Sequence, residues 1–169
     1  MNDYASILVG IAEAEVGVRE QGGNNRGGRI VAYQKATWLD PEAWPWCAAF
    51  VCWCIRDWLK VPGAADSIGV GNIENWRPKT AAAFDFLRWA KKQDLPILPE
   101  TAEVHAGDLV IFDFSHIGIV VADALENSQF IFTVEGNTNG AGARDSTSGD
   151  GVWRKKRPRS LARKFIRIT

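Results

Sequence analysis

Only three cysteines stand in the chain of 169 residues, at positions 47, 52 and 54. Their confinement to one short segment excludes a framework of paired disulfides, whose bridges spread along a chain, and suits synthesis in a reducing compartment. Long apolar runs are also lacking. Stretches such as 109–112 and 117–122 fall far short of the roughly 20 residues needed to cross a bilayer, so no membrane-spanning helix is expected. A secretory leader is not expected either, because the first twenty residues carry Asp3, Glu13, Glu15 and Arg19 and no small-residue cleavage site. Histidine is scarce, with two residues, and net charge is zero. With 46% hydrophobic and 24% charged residues, the composition excludes disorder, collagen and coiled coil, and the length suits one domain, 1–169, with a core that needs no covalent staple.

The charge that is present falls unevenly. All 20 acidic residues and 12 of the 20 basic ones lie in 1–150, so 151–169 holds eight Lys/Arg and no acid. Such a strip reads either as a solvated edge strand protected by its charge or as a contact for an anionic polymer such as a cell envelope or nucleic acid. No motif for a specific nucleic acid accompanies it.

Hydrophobic spacing predicts an amphipathic helix over 3–18 (Ile7, Leu8, Ile11, Val18), broken at Gly22-Gly23-Asn24-Asn25, and a short helix over 28–37. Cys47, Phe50/Val51, Cys54/Ile55 and Trp58 mark one stripe of a buried helix that starts at Cys47, after Trp44-Pro45-Trp46. A Gly/Pro-punctuated loop over 61–79 and a helix over 80–92 follow. Beyond Gly107 the texture changes to short runs rich in Val, Ile and Phe: 108–114, 117–122, 129–135, 152–156 and 164–168. Helices first and closely spaced strands afterwards predict an α+β fold with an antiparallel sheet. A polar loop over 136–151 is long enough to suggest function.

Within this frame Cys47 has the most informative position. A thiol at a helix N-terminus feels the positive end of the macrodipole and unpaired N–H groups, which favour thiolate and suit a nucleophile. Cys52 and Cys54, inside the helix, read as small core residues. A thiolate nucleophile needs a base. His105 sits in a loop and reads as surface, whereas His116 opens a strand. If 117–122 and 129–134 form a hairpin in which 122 faces 129, His116 stands opposite Glu135, whose carboxylate can hold the imidazole tautomer. Asn137 would share that side, for orientation or substrate contact, and Asp113 is the competing orienter. Tyr33, Trp44 and Trp46 could wall a cleft and hold glycan or peptide, or simply pack the core.

Four segments in order, Trp-Pro-Trp-Cys-Ala-Ala-Phe-Val-Cys-Trp-Cys, Gly-Asp-Leu-Val-Ile-Phe, His-Ile-Gly-Ile-Val-Val and Val-Glu-Gly-Asn-Thr, resemble the CHAP domains (cysteine, histidine-dependent amidohydrolases/peptidases) of phage endolysins and bacterial wall hydrolases. The resemblance runs from about residue 10 to 140. It implies a papain-like α+β fold and cleavage of a peptidoglycan amide, with Cys47 as nucleophile, His116 as base, Glu135 as acidic orienter and Asn137 as the family's amide. Calcium-binding members carry several acids around the cysteine. Here only Asp40 and Glu42 precede it, so no metal or cofactor is expected, and no appended wall-binding domain is visible. The expectation is therefore a monomeric single-domain enzyme resembling endolysins of phages with Gram-negative hosts, made in the bacterial cytoplasm and acting on the wall after release. Three rivals are a non-catalytic wall-binding or phage structural module, a zinc protein, and an acyl-transfer or deamidating enzyme. The zinc reading suffers because Cys47 and Cys52 differ by about 140° around a helix.

Overall fold

A computed structural model describes residues 3–141 and 149–169. The N-terminal half is helical: α1 (Asp3–Ala14), α2 (Gly28–Gln34), α3 (Cys47–Leu59), the single turns α4 (Ala64–Ser67) and α5 (Ile73–Trp76), and α6 (Asp85–Lys92). The strands follow: β1 (Ile97–Leu98), β2 (Leu109–Phe112), β3 (Ile117–Val120), β4 (Phe130–Thr138), β5 (Gly151–Pro158) and β6 (Ala162–Ile166). They form one antiparallel sheet in the order β1-β6-β2-β3-β4-β5. This is the α+β arrangement expected from the texture of the chain. No helix among the described residues is long and apolar enough to cross a membrane.

Strand alternation divides the apolar residues between two cores. Leu109, Ile111, Ile117, Ile119 and Val134 pack with the helices, chiefly α3, whose Phe50, Val51, Cys54, Ile55 and Trp58 are fully buried. Val110, Phe112, Val120, Ile131 and Phe165 form a smaller cluster on the other face. Gly136 lets α3 lie against β4, since a Cβ there would sit 2.6 Å from Phe50 Cβ and 2.8 Å from a Trp46 ring carbon. The N-terminus of α3 is thereby set against the strands that carry the polar residues.

Several boundaries differ from the sequence reading. The first helix stops at Ala14 rather than 18, because Glu15 turns into a buried network. Its carboxylate accepts Arg29 Nε and Nη2, both at 2.6 Å, and the Tyr33 hydroxyl at 2.5 Å. The helix expected over 80–92 begins at Asp85, where Thr80 accepts from the Ala82 N–H and donates to the Asp85 carboxylate. The loop expected over 136–151 starts later, because β4 continues through Thr138. Residues 142–148 of that loop lie outside the described residues.

The basic C-terminal strip needs the largest correction. β5 is an edge strand, as anticipated, but its cations alternate between the two faces of the sheet. Arg154 and Lys156 are exposed, whereas Lys155, Arg157 and Arg159 are buried. Lys155 donates to the carbonyls of Asn139 and Ala141, and Arg159 to those of Glu100, Ala102 and Ala124. Arg167 pairs with Asp108 at 2.8 Å. Only part of the strip is therefore available to an outside polymer.

Candidate active site

Cys47 is the first residue of α3, whose first turn carries no acidic side chain and whose N-cap, Trp46, makes no side-chain cap. No side chain therefore competes for the first-turn N–H groups at the helix end where Cys47 sits. Cys47 is 7% exposed and lines a cavity of about 430 Å³ with Trp44, Phe114, Ser115, Asn137 and the 81–83 segment. All three cysteines are free thiols. Burial pushes the Cys52 thiol up to about 12 and raises that of Cys54 well above its ordinary value, so both stay protonated inside the helix.

His116 is delivered by the turn between β2 and β3. The Phe112 N–H bonds the His116 carbonyl at 2.9 Å, closing a three-residue loop whose last member, Ser115, has φ +57°. The imidazole is fully buried and stacks on Phe112 and Phe114, with ring centroids 5.8 and 5.6 Å away. Its Nε2 lies 2.8 Å from Glu135 Oε2, while Nδ1 makes no formed hydrogen bond. The charge of Cys47 acts on the ring, and with Nε2 taken by Glu135 the open nitrogen is Nδ1. A buried, unsatisfied nitrogen calls for an explanation, and a ring nitrogen poised to exchange a proton with the cysteine supplies one.

Glu135 is likewise fully buried, and four bonds reach its two oxygens. Oε1 accepts Thr133 Oγ1 at 2.6 Å and Arg157 Nε at 3.0 Å. Oε2 accepts Arg157 Nη2 at 2.6 Å as well as the His116 bond. Burial alone would raise the Glu135 carboxyl, but the bonds and charges of His116 and Arg157 outweigh it and hold the group at about 2. Burial would lower His116. The negative charges of Cys47 and Glu135 and the bonds to them overcome this and bring the ring to about 9. The resting charges that fit these shifts are an imidazolium on His116 held against the Glu135 carboxylate.

The expected pairing of His116 with Glu135 is present, but its register is not the expected one. β3 and β4 pair Ile119 with Val134 and Val120 with Thr133, a slip of two residues that makes the connecting turn longer. A two-residue slip keeps every side chain on its face, so the contact survives diagonally. Gly118 stands directly across from Glu135, and a Cβ on it would lie 2.7 Å from Glu135 Cγ. Only a glycine there leaves room for the carboxylate beneath the imidazole.

Asn137 falls in the irregular pairing between Glu135 and Thr138, has φ +54°, and lines the cavity beside Cys47. Trp44 lines it too, its indole N–H bonded to the Asp40 carbonyl at 2.9 Å. Tyr33 and Trp46 do not form the cleft wall anticipated for them. Both are wholly buried and stack with centroids 5.4 Å apart, Tyr33 bonded to Glu15 and Trp46 to Glu20. His105 is half-exposed near Glu103, and Asp113 is exposed in the hairpin turn. No group of three or more His, Cys, Asp or Glu side chains among the described residues could hold a metal ion.

Arg157, Thr133 and Gly118 were missed from sequence. The signal for Arg157 was available: a carboxylate destined for burial needs a buried cation, and the next strand offers a run of them.

A helix whose N-terminal cysteine meets a histidine and a carboxylate carried on an antiparallel sheet defines a papain-like α+β fold. Residues 39–137 match the CHAP domain, more than half of the chain, and the protein belongs to that family. Its members are generally cysteine- and histidine-dependent amidohydrolases or peptidases that act on peptidoglycan. No curated protein and no solved structure matches the chain.

Proposed function

We propose that this protein is an endolysin-like peptidoglycan hydrolase that cuts an amide of the wall peptide with Cys47 as nucleophile, His116 as general base and acid, and Glu135 as orienter. The observation that carries the reading is the imidazole bonded through Nε2 to a locked carboxylate, with Nδ1 left for the sulfur. The thiolate attacks the amide carbonyl and a tetrahedral oxyanion forms at the start of α3, where the Cys47 N–H is the natural donor. Collapse breaks the C–N bond, and the proton on His116 passes to the leaving amine. Water, deprotonated by His116, then hydrolyses the thioester and regenerates the thiol. Asn137 and Trp44, on the cavity wall, contact the substrate.

The chain acts as a single domain and a monomer, without a metal, on a wall reached after release from the cytoplasm. Exposed Lys156 adds attraction to anionic envelope polymers, beside Arg154, which is also paired with Glu13.

The test is digestion of purified sacculi followed by mass spectrometry of the muropeptides, where new free amino groups identify the bond cut. Cys47→Ala should bring lysis below about 1% of the parent while the protein stays folded, as removal of a triad nucleophile does. Lysis by folded Cys47→Ala near the parental level sinks the nucleophile assignment. Loss of activity on chelation, restored by calcium, sinks the metal-free one.

A further inference from the structure

We infer that Arg157 is a positioning residue of the reaction, acting through Glu135 to set the orientation and charge of the His116 ring. The inference rests on the role proposed for Glu135. Arg157 is fully buried, and its guanidinium meets the carboxylate on both oxygens, with Nη2 also 3.3 Å from Thr138 Oγ1. Its carbon centre stands 5.4 and 5.6 Å from the ring centroids of Phe112 and Phe114, the same two rings that stack on His116. Guanidinium, phenyl rings, imidazole and carboxylate thus form one closed unit.

Two consequences follow from this geometry. With both oxygens engaged, the Glu135 carboxylate cannot rotate, so Oε2 stays under the imidazole. The guanidinium also keeps the buried carboxylate ionised while taking a share of its charge, which stops the imidazolium from being held too tightly to give up its proton. The charged or titratable groups facing the unit are Cys47 from α3, Glu135 from β4, and Lys155 and Arg157 from β5.

The chain has two histidines, so their ring resonances can be followed separately by NMR, with half-exposed His105 as an internal control. In Arg157→Met the His116 titration should move upward, because a neighbouring positive charge has gone, while His105 stays in place. The acid limb of kcat should also move upward, because Glu135 then protonates more easily. Arg157→Lys, which keeps the charge but loses the two-pronged bond, should lower kcat about tenfold with KM little changed. If Arg157→Met does not fold, Arg157→Lys carries the test through kcat and His116 titration. A His116 titration and active-site-normalised kcat equal to the parent's in the folded variants overturn the inference. Failure of the Cys47 assignment would leave the His116 titration readable.

A second observation concerns the cleft itself. The residues preceding its walls at Leu39 and Ala81 are Trp38 and Thr80, and these open a neighbouring groove of about 450 Å³ that also includes Lys79, Arg88, Trp89 and Lys92. The two walls are tied together, the Trp38 N–H bonding the Lys79 carbonyl at 2.8 Å and Arg77 the Ala36 carbonyl at 2.7 Å. Trp38 is 70% exposed, the most exposed large apolar side chain among the described residues. Arg77 and Lys79 already pair with Glu74, and Arg88 with Asp85, which leaves Lys92, among the described residues that line the groove, as the cation to meet a ligand carboxylate.

We propose that this groove takes the glycan side of the substrate, a sugar ring stacking on Trp38 and a carboxylate of the attached peptide facing Lys92. This rests on the peptidoglycan reading. In a Cys47→Ala background, calorimetry with a disaccharide-peptide and with the same peptide lacking sugar separates the possibilities. Trp38→Ala should weaken the former about threefold to tenfold and leave the latter unchanged, the range expected of one aromatic contact. Equal binding of the disaccharide-peptide by both proteins overturns the groove assignment alone, and no binding by the parent overturns the peptidoglycan reading with it.

Discussion

The two halves of the site are built by opposite means. On the helix side, Cys47 rests on an apolar scaffold in which Ala48, Ala49, Phe50 and Val51 are fully buried and the sulfur is acted on by the backbone. On the strand side, His116, Thr133, Glu135 and Arg157 are all buried polar groups bonded through Glu135, with His116 Nδ1 left open. A group that draws on a helix terminus can be removed without breaking a formed hydrogen bond. A member of a buried network cannot, because its partners are left desolvated and unpaired.

The sharpest way to break the comparison is to remove the network's centre. Glu135→Ala should abolish turnover and also cost about 3–5 kcal/mol of stability, since Arg157 then keeps an uncompensated buried charge. Cys47→Ala should cost less, about 1–2 kcal/mol near neutral pH, because it removes a charge that raises His116 but breaks no formed hydrogen bond. Urea denaturation of the two variants checks the contrast, and equal losses would mean the halves are not built differently.

A smaller effect is expected of Gly118→Ala, which adds a methyl group where Glu135 lies. Overpacking should cost about 1–3 kcal/mol, and displacement of the carboxylate should lower kcat about tenfold to a hundredfold. Parental kcat would show that the network relaxes freely around position 118.

The two halves should also separate by pH. Glu135 is held at about 2 against an ordinary 4.5, so its stabilisation is complete above pH 4.5 and drains as pH falls toward 2. His116 is raised to about 9 from 6.5, so its contribution is complete below pH 6.5 and is lost as pH rises through 9. Melting temperature should thus be highest between those limits, and kcat/KM should decline near pH 9 as the imidazolium is lost. Cys47→Ala should flatten the alkaline fall in melting temperature, because the cysteine's charge is the largest influence raising the ring, and leave the acid fall in place. Calorimetric scans across pH decide the matter.

The smallest effect belongs to the outer face of β5. Reversing Arg154 and Lys156 should weaken sedimentation with cell walls in dilute buffer, as about 1 M salt does to the parent by screening. Turnover of a small soluble substrate should not change. If sedimentation is also unchanged, these cations only keep the edge strand solvated.

Much of this arrangement was legible in the chain. The stripe from Cys47 to Trp58 marked α3 and its start, because burial against a sheet demands a periodic apolar face. The pairing of His116 with Glu135 was legible despite a wrong register, because side-chain parity survives a two-residue slip. Tyr33 and Trp46 were misjudged because an aromatic beside a reactive residue looks the same in sequence whether it faces a cleft or a core. The basic strip misled for a related reason: composition counts charges, while strand alternation decides which of them are buried.

By itself, then, the sequence determined the α+β order, the placement of Cys47 at a helix start and the pairing of His116 with Glu135, all consequences of local periodicity, of the scarcity of cysteine and histidine, and of strand parity. The tertiary structure alone decided that Arg157 leaves the solvent to grip Glu135, that Gly118 opens the space for that carboxylate, and that Trp38 rather than Tyr33 or Trp46 is offered to the outside. The physical reason is that burial and counter-ion choice depend on which strand lies next to which, and that adjacency is settled by packing over long separations in the chain.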